Sequence, residues 1–459
     1  MVNTRKDYIS ITILFIVNLL NFVDRYTVAG VLTQVQEYYD IDNSMAGLIQ
    51  TVFIAFFMIG SPLCGFNRKI IIIAGVATWL AAVVASSFVP ANNKNWDNNK
   101  QNRALLTSSN RLQLFWLFLL LRGVVGIGEA SYSNVCPSMI SDMFTGTRRS
   151  RMYMVFYFAV PVGSGLGFIV GSNAASILGS WQWGIRITAV PGIVALILLV
   201  LFVHDPERGA ADKIEGAHLP GTGSSYWQDL KALIRIPTFV SCTWAYTALI
   251  FVTGTLVWWE PTIIEHGIAW NKGENDTASQ PDSSDHIGLV FGGITTLSGL
   301  LGVTAGTVMA GMMRKGRGIF RPIKTERAQP IVSGLGALIS APLLAVIFIW
   351  GHHSITMLWS VIVPSRRSTA FSYFMLISHL FGDATGPYIV GAVSDAIRGE
   401  VKTPKNHYLS LVKACSVTVV LLFISAALYF VSAATLLRDQ KKFKDQMGKY
   451  ICGYEYRCP

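Results

Sequence analysis

Long apolar runs alternate with short polar segments along the whole chain. A membrane-spanning helix needs about 20 mostly apolar residues, and runs of that length are too long and too uniformly apolar for membrane β-strands. Eleven runs are long enough to span and one is a fragment. The runs are 8–34, 45–66, 70–90, 112–142, 148–176, 184–203, 237–264, 286–313, 328–350, the fragment 354–363, 368–395 and 408–437. The pattern predicts an all-α membrane protein, because helices satisfy their own backbone groups in lipid.

A polar stretch, His204–Arg235, divides the runs six and six. We therefore expect a six-helix bundle over residues 1–203, a cytosolic linker over 204–236, a second bundle over 237–437 and a cytosolic tail over 438–459. The fifth and eleventh runs resemble each other, since each begins Arg-Arg-Ser and then carries three spaced glycines. An offset of six spans keeps both copies in the same orientation, which predicts a parallel repeat.

Composition supports the membrane interpretation. Apolar residues make up 52% of the chain and charged residues 14%, against about 25% charged in a typical soluble domain. The net charge of +11 could indicate a nucleic-acid partner. However, most Lys and Arg lie in segments that a cytosolic N-terminus would place inside, as the positive-inside rule describes. We expect the lipid bilayer as partner and no nucleic acid, and Asn275 is a glycosylation acceptor on the opposite side.

Charged side chains within the apolar runs are the candidates for chemistry, because each costs about 2.5–3.5 kcal/mol at the centre of a spanning helix. Asp24 lies well inside the first run. Its neighbour Arg25 points about 100° away around the helix, so the two cannot simply pair. Asp24 is therefore a candidate proton carrier or cation partner. The structural alternative is an ion pair with a basic residue on another helix.

A second acid and base lie in the fourth run. Arg122 and Glu129 are seven residues apart and so share one helical face. Glycines at 123, 126 and 128 would let another helix or a substrate approach closely. The arrangement suits proton or ion coupling, because protonating Glu129 would release Arg122 or another partner. The alternative is an Arg–Glu network that only holds helices together.

Two further motifs lie in the second half of the chain. His379 and Asp383 are spaced i,i+4 and can pair on one helical face, which would suit pH-dependent gating. A hydrogen-bonded interior histidine with no functional role is the alternative. Trp258–Trp259–Glu260 is interpreted as an interfacial aromatic anchor that ends the seventh span.

Several of these motifs resemble a known family. Segments Asn21–Arg25, Arg122–Ser133, Pro364–Ala370 and Ser378–Asp383 are similar to those of the Spinster family, within the major facilitator superfamily. The resemblance extends from about residue 18 to residue 394. It implies the major facilitator fold, with two six-helix bundles around a central cavity that opens to each side in turn. It also implies lysophospholipid or sphingoid-type cargo, proton coupling and a late endosomal or lysosomal membrane rather than the plasma membrane.

The same resemblance matches Asp24 and the Arg122–Glu129 pair to the family's buried polar network, and His379 to its eleventh-helix histidine. The candidate site for protons and substrate is therefore Asp24, Arg25, Arg122, Glu129, His379 and Asp383. No cofactor and no metal are expected. The leading hypothesis is a secondary active lipid transporter and not an enzyme, since no nucleophile–base set and no metal-ligand spacing occurs.

Two departures from the family pattern leave an alternative open. The family has an acid before the basic end of the second–third loop, whereas this chain has only Gly65–Lys69. The tenth run is also short: ten residues form about 15 Å of helix, half the hydrocarbon thickness. It is either a re-entrant stub or the remnant of a missing segment, and the tenth helix is accordingly predicted to be truncated. The alternative function is a non-transporting scaffold or regulator derived from the family.

Overall fold

The computed structural model describes residues 4–60, 68–89, 108–207, 234–273, 287–350 and 378–455, and these residues form helices and short connections. The first half contains α1 Thr4–Ala29, α2 Leu32–Tyr39, α3 Asn43–Gly60, α4 Arg68–Ser87, α5 Ser108–Met143, α6 Gly146–Leu178 and α7 Trp181–Phe202. The second half contains α8 Pro237–Asn271, α9 Ile287–Lys315, α10 Ala328–Trp350, α11 Gly386–Arg398, α12 Pro404–Cys415 and α13 Val417–Glu455. A 3₁₀-helix, Gly318–Ile323, follows α9, and a π-helical turn, His379–Asp383, precedes α11.

Within the described residues, ten helical segments are long and apolar enough to cross a bilayer, α12 and α13 together forming the last of them. They correspond to ten of the eleven long runs. The eleventh long run is described only from Ser378 onward, where the π-helical turn and α11 form it. The fragment 354–363 lies outside the described residues, so its truncation stays a prediction. The four domain boundaries stay predictions as well, although α13 shows that the expected tail is helical as far as Glu455.

The two halves use the same helix pairings. In the first half α1 packs on α6 and α7, and α4 packs on α7. In the second half α8 packs on the π-helical turn and α11 and on α12–α13, while α10 packs on α13. The halves meet along two seams, α3 with α11 and α6 with α9. A two-fold relation that carries the first half onto the second exchanges these seams, as a parallel repeat requires.

The seams lie towards one end of the bundle, which we call the far end: the end at which α1 stops and α3 starts. In the α6–α9 seam, a Cβ added to Gly165 would overlap Gly292 and the hydroxyl of Thr296. That hydroxyl lies 3.4 Å from the carbonyl oxygen of Pro161. Because side chains are absent where the backbones meet, the two halves are in direct contact there.

The opposite end, where α1 begins, is called the near end. Arg68, at the start of α4, donates to Asp142 Oδ2 at 2.5 Å and, through Nε, to Asp205 Oδ1 at 2.8 Å. The guanidinium is 5% exposed. Asp142 at the end of α5 and Asp205 just after α7 therefore bind Arg68 from within the first half.

The interpretation of Trp258–Trp259 as an interfacial anchor is wrong. Helix α8 continues past them to Asn271, with Pro261 inside it. Trp258 and Trp259 are 3% and 0% exposed, and Trp259 Nε1 donates to the carbonyl oxygen of Pro387 at 3.0 Å. Membrane helices tolerate an internal proline when neighbouring groups satisfy the freed carbonyl, so α8 continues through Pro261.

Candidate functional site

The carboxylate of Asp24 is the centre of a polar cluster inside the first half. Asp24 is 0% exposed, and its Oδ2 lies 3.2 Å from Nη1 of Arg122 on α5. Trp79 on α4 donates to Oδ2 at 3.4 Å, and Thr188 on α7 donates to Oδ1 at 3.2 Å. Helices α1, α4, α5 and α7 are therefore tied together through one carboxylate. A buried charge of this kind needs both a counter-charge and hydrogen bonds.

Arg122 completes that cluster without leaving the first half. Its Nη2 donates to the hydroxyl of Ser86 at 3.3 Å, and its guanidinium lies 5.6 Å from the ring centre of Phe118. Only Nε has no hydrogen-bond partner among the described residues. The geometry matches the structural alternative for Asp24, an ion pair with a basic residue on another helix.

Arg25, the next residue along α1, connects the two halves. Its Nη2 donates to Oδ2 of Asp383 in the second half. Its Nη1 lies 4.0 Å from Oε1 of Glu129 on α5 of the first half, and the guanidinium lies over the ring of Phe53 at 5.1 Å. A single buried arginine is thus placed between one acid of each half.

Glu129 lies where helices pack closely, and one of its two carboxylate oxygens lacks a partner among the described residues. It is 2% exposed, and its Oε2 has no hydrogen-bond partner among the described residues. The glycines around it explain how α3 and α4 each pack closely against α5. A Cβ at Gly126 would overlap the carbonyl oxygen of Phe53 on α3, and one at Gly128 would lie 2.7 Å from the carbonyl oxygen of Gly75 on α4. In the described part of the chain, the base nearest to Glu129 is therefore Arg25, whereas Arg122 pairs with Asp24.

Asp383 ends the π-helical turn of the second half. Besides Arg25, three residues lie close to its carboxylate. His379 Nδ1 lies 3.4 Å from Oδ2, so the i,i+4 pairing expected from the sequence is present. Gln50 on α3 donates to Oδ1 at 3.4 Å from across the seam. Gly254 on α8 leaves room for the carboxylate, since a Cβ there would overlap Asp383 Oδ1. A π-helical turn re-aims side chains within a helix and occurs often at functional sites.

An apolar cavity adjoins this turn. It has a volume of about 630 Å³ and lies between α8, the π-helical turn and α13. Its walls include Trp244 and Phe251 of α8, Phe381 of the turn and Leu421 of α13. Phe381 lies on the same turn as His379 and Asp383, so the apolar lining of the cavity begins next to the charged cluster. That combination fits a molecule with one polar and one apolar end.

The six residues singled out from the sequence form one chain of contacts. Asp24 binds Arg122, its neighbour Arg25 contacts Glu129 and Asp383, and Asp383 contacts His379. Asn275 lies outside the described residues. The neutral partners of the cluster were not predicted; they are Gln50, Phe53, Trp79, Ser86, Thr188 and Gly254. A neutral side chain in an apolar run carries no cost that would mark it in the sequence.

Comparisons with known proteins agree with this architecture. The family model of the Major Facilitator Superfamily matches residues 14–364. A solved bacterial homolog of the human lysosomal transporter Spinster, in an inward-facing and unoccupied conformation, has a TM-score of 0.67 with this chain at 19% identity. The match covers 95% of this chain and 98% of that one. The fold and the family match define a multi-pass membrane transporter of the major facilitator superfamily.

Relatives within the superfamily define the family more closely. Protein spinster homolog 1 of Mus musculus is 37% identical over 463 residues, which cover 94% of this chain and 81% of that protein. The sphingosine-1-phosphate transporter SPNS2 of Mus musculus is 37% identical over 473 residues, covering 96% of this chain and 79% of that protein. This chain belongs to the Spinster family. Its relatives are transporters, so it is a transporter and not an enzyme.

Proposed function

We propose that this chain moves a lysophospholipid or a sphingoid-type lipid across the bilayer as a secondary active transporter. The relative named as a sphingosine-1-phosphate transporter supports a lipid cargo. The cavity of about 630 Å³ beside the charged π-helical turn supports a cargo with a polar head and an apolar tail. The family's lysosomal members support a late endosomal or lysosomal membrane, which imaging of the tagged chain beside an organelle marker would test.

Alternating access is the proposed mechanism. The described contacts between the halves lie in the middle of the bundle and at the far end. They extend from Thr51–Ala384 to the contact between the start of α3 and the end of α11. For cargo to leave at the far end, these contacts must break while others form. The observation that carries the proposal is the Arg25–Asp383 ion pair, because it joins the halves at the level of the buried acids.

The position of Glu129 beside that ion pair supports proton linkage. When Glu129 is ionised, it competes with Asp383 for Arg25; when Glu129 carries a proton, Arg25 is left to Asp383. Proton binding at Glu129 therefore strengthens the attachment between the halves. Conversely, closing the middle seam favours the protonated form, because linkage between two events is reciprocal. Coupling of this kind typically amounts to about 1–3 kcal/mol.

Transport in proteoliposomes tests cargo and coupling together. The full chain is reconstituted, and uptake of labelled lysophosphatidylcholine and of labelled sphingosine-1-phosphate is measured with and without a pH gradient. We expect uptake of at least one lipid, accelerated by the gradient, and loss of that acceleration in Glu129→Gln. Glu326→Gln, which makes the same chemical change at an exposed position, should behave like the wild type.

Each outcome bears on a separate part of the proposal. If the wild type takes up lipid at the same rate with and without the pH gradient, proton linkage is contradicted, whereas lipid transport is supported. A folded protein that moves neither lipid would contradict transport. That result would favour the second candidate, a non-transporting scaffold or regulator, which the short run at 354–363 supports.

A further inference from the structure

The far end of the molecule holds a carboxylate that caps a helix of the other half. Asp395, near the end of α11, accepts hydrogen bonds from the backbone amides of Asn43 at 3.2 Å and Ser44 at 2.7 Å. These amides open α3, and the first amides of a helix have no partner within the helix. A negative charge there also interacts favourably with the helix dipole. Asp395 therefore caps the N-terminus of α3, and it would move away with α11 when the two halves separate.

An arginine fastens the same contact from the other direction. Arg398 is 9% exposed, and its Nη2 lies 3.0 Å from Asp395 Oδ1 and 3.0 Å from Asp42 Oδ1. Its Nη1 contacts the ring nitrogens of His407 on α12 at 2.7 and 3.0 Å. Arg398 therefore holds one acid of each half, and a neighbouring helix holds the arginine in place.

The backbones beneath these side chains are in contact. A Cβ added to Gly47 of α3 would overlap the backbone of Pro387, and one added to Gly391 of α11 would overlap the carbonyl of Asn43. The side chain of Asn43 donates to the hydroxyl of Ser394 at 3.2 Å. The seam has no room for cargo while these contacts exist, so passage at the far end requires all of them to break.

We propose that Asp395 and Arg398, with the opening turn of α3 and Asp42, form a clasp that holds the far end of the transporter closed. The proposal rests on the alternating access proposed above. The clasp is separate from the acid–base cluster in the middle of the bundle, and its bonds exist only in the closed arrangement. Its strength therefore sets how often the far end opens.

The reactivity of a buried thiol at the seam tests the clasp without any transport measurement. Ser394 is 0% exposed, so Ser394→Cys places a reporter that reacts only when the seam parts. The variant is made in the full chain with the six native cysteines replaced by serine, and its modification by a maleimide is timed in nanodiscs. When closing is fast, the rate is proportional to the open population. Each rate is divided by that of the same variant after denaturation, which removes differences in thiol chemistry.

A helix cap within one half provides the matched control. Asp439 on α13 accepts from the backbone amide of Thr238 at 3.0 Å and so caps α8, but both residues belong to the second half. Loss of a capping side chain typically lowers the equilibrium constant for the capped structure by a factor of about five, within a range of about two to thirty. We expect Asp395→Ala to speed labelling at least about fivefold. Asp439→Ala should leave the rate unchanged.

Two further variants, one at Asp395 and one at Asp42, make the test decisive. Asp395→Asn retains an oxygen that can cap α3 but loses the charge that binds Arg398, so its rate should lie between those of wild type and Asp395→Ala. Asp42→Asn leaves α11 intact and should also speed labelling, which covers the case in which Asp395→Ala does not fold. Unchanged labelling in folded Asp395→Ala and Asp42→Asn would overturn the proposal, as would equal acceleration by Asp439→Ala. A protein that moves no lipid yet shows the expected labelling series would contradict the proposed function and support the clasp.

Discussion

The ion pair between Asp24 and Arg122 gives a quantitative prediction about stability. In Arg122→Gln, the Asp24 carboxylate stays 0% exposed but keeps only the neutral donors Trp79 and Thr188. A lost charge-assisted hydrogen bond accounts for about 1.5–3 kcal/mol. Leaving the buried charge without its partner raises the total to about 3–5 kcal/mol. The ratio of folded to unfolded protein should therefore fall by about two to four powers of ten.

Equilibrium unfolding of the full chain measures this loss. Purified protein is titrated with sodium dodecyl sulfate in dodecyl maltoside micelles, and tryptophan fluorescence reports the folded fraction. Asp40 and Lys402 provide the control, because they pair at 3.8 Å but are 72% and 64% exposed. Lys402→Gln should cost at most about 1 kcal/mol, since solvent screens an exposed pair.

A double-mutant cycle shows whether the ion pair is the cause. Asp24→Asn together with Arg122→Gln leaves neutral groups that can still hydrogen-bond, so the double variant should be more stable than the sum of the two single losses predicts. Strictly additive losses would refute the reasoning. So would a loss below about 1 kcal/mol in Arg122→Gln, the range of exposed pairs.

Two further predictions concern packing. Gly126→Leu should abolish folded protein in size-exclusion chromatography, because its side chain would overlap the carbonyl oxygen of Phe53 and force α3 away from α5; Gly293→Leu, with open space around it, should elute normally. Trp259→Phe should cost about 0.5–1.5 kcal/mol in the same unfolding assay, since it removes the hydrogen bond that the indole donates to the carbonyl oxygen of Pro387; an unchanged midpoint would show that this hydrogen bond contributes nothing.

The sequence was sufficient to predict ten of the spanning segments and the charged residues that lie buried within them. Uniform apolar runs leave few alternatives to spanning helices. The cost of a buried charge marked Asp24, Arg122 and Glu129 within those runs. The error at Trp258–Trp259 arose because tryptophans are enriched at the membrane interface, whereas these two side chains are buried between helices.

The partners of the charged residues could not be predicted in the same way. Spacing places Arg122 and Glu129 on one face of α5, but two helical turns separate them along the axis. Arg122 therefore reaches Asp24, whereas Glu129 lies at the level of Arg25. Which pairs form depends on how far each helix is rotated and shifted against its neighbours, and no local pattern carries that information.

Arg25 and Arg122, the buried arginines of the central cluster, would serve different purposes in the proposed alternating access. Arg122 pairs with Asp24 within one half, so under the proposed alternating access its ion pair would persist when the halves tilt and would contribute equally to both arrangements. Arg25 pairs with Asp383 across the seam, and a ligand or proton shifts a conformational equilibrium only through contacts that differ between the states.

The two buried sets of cross-half charges in the second half, at Asp383 and at Asp395–Arg398, lie on one short structural unit. Asp383 ends the π-helical turn, and α11 follows with Asp395 and Arg398 near its other end. Its 13 residues make a rigid rod of about 20 Å. Displacing the start of this rod from Arg25 moves its end relative to α3. Under the proposed proton linkage, loss of a proton from Glu129 would weaken the Arg25–Asp383 ion pair and so loosen the clasp at the far end, because the π-helical turn and α11 carry both Asp383 and the clasp.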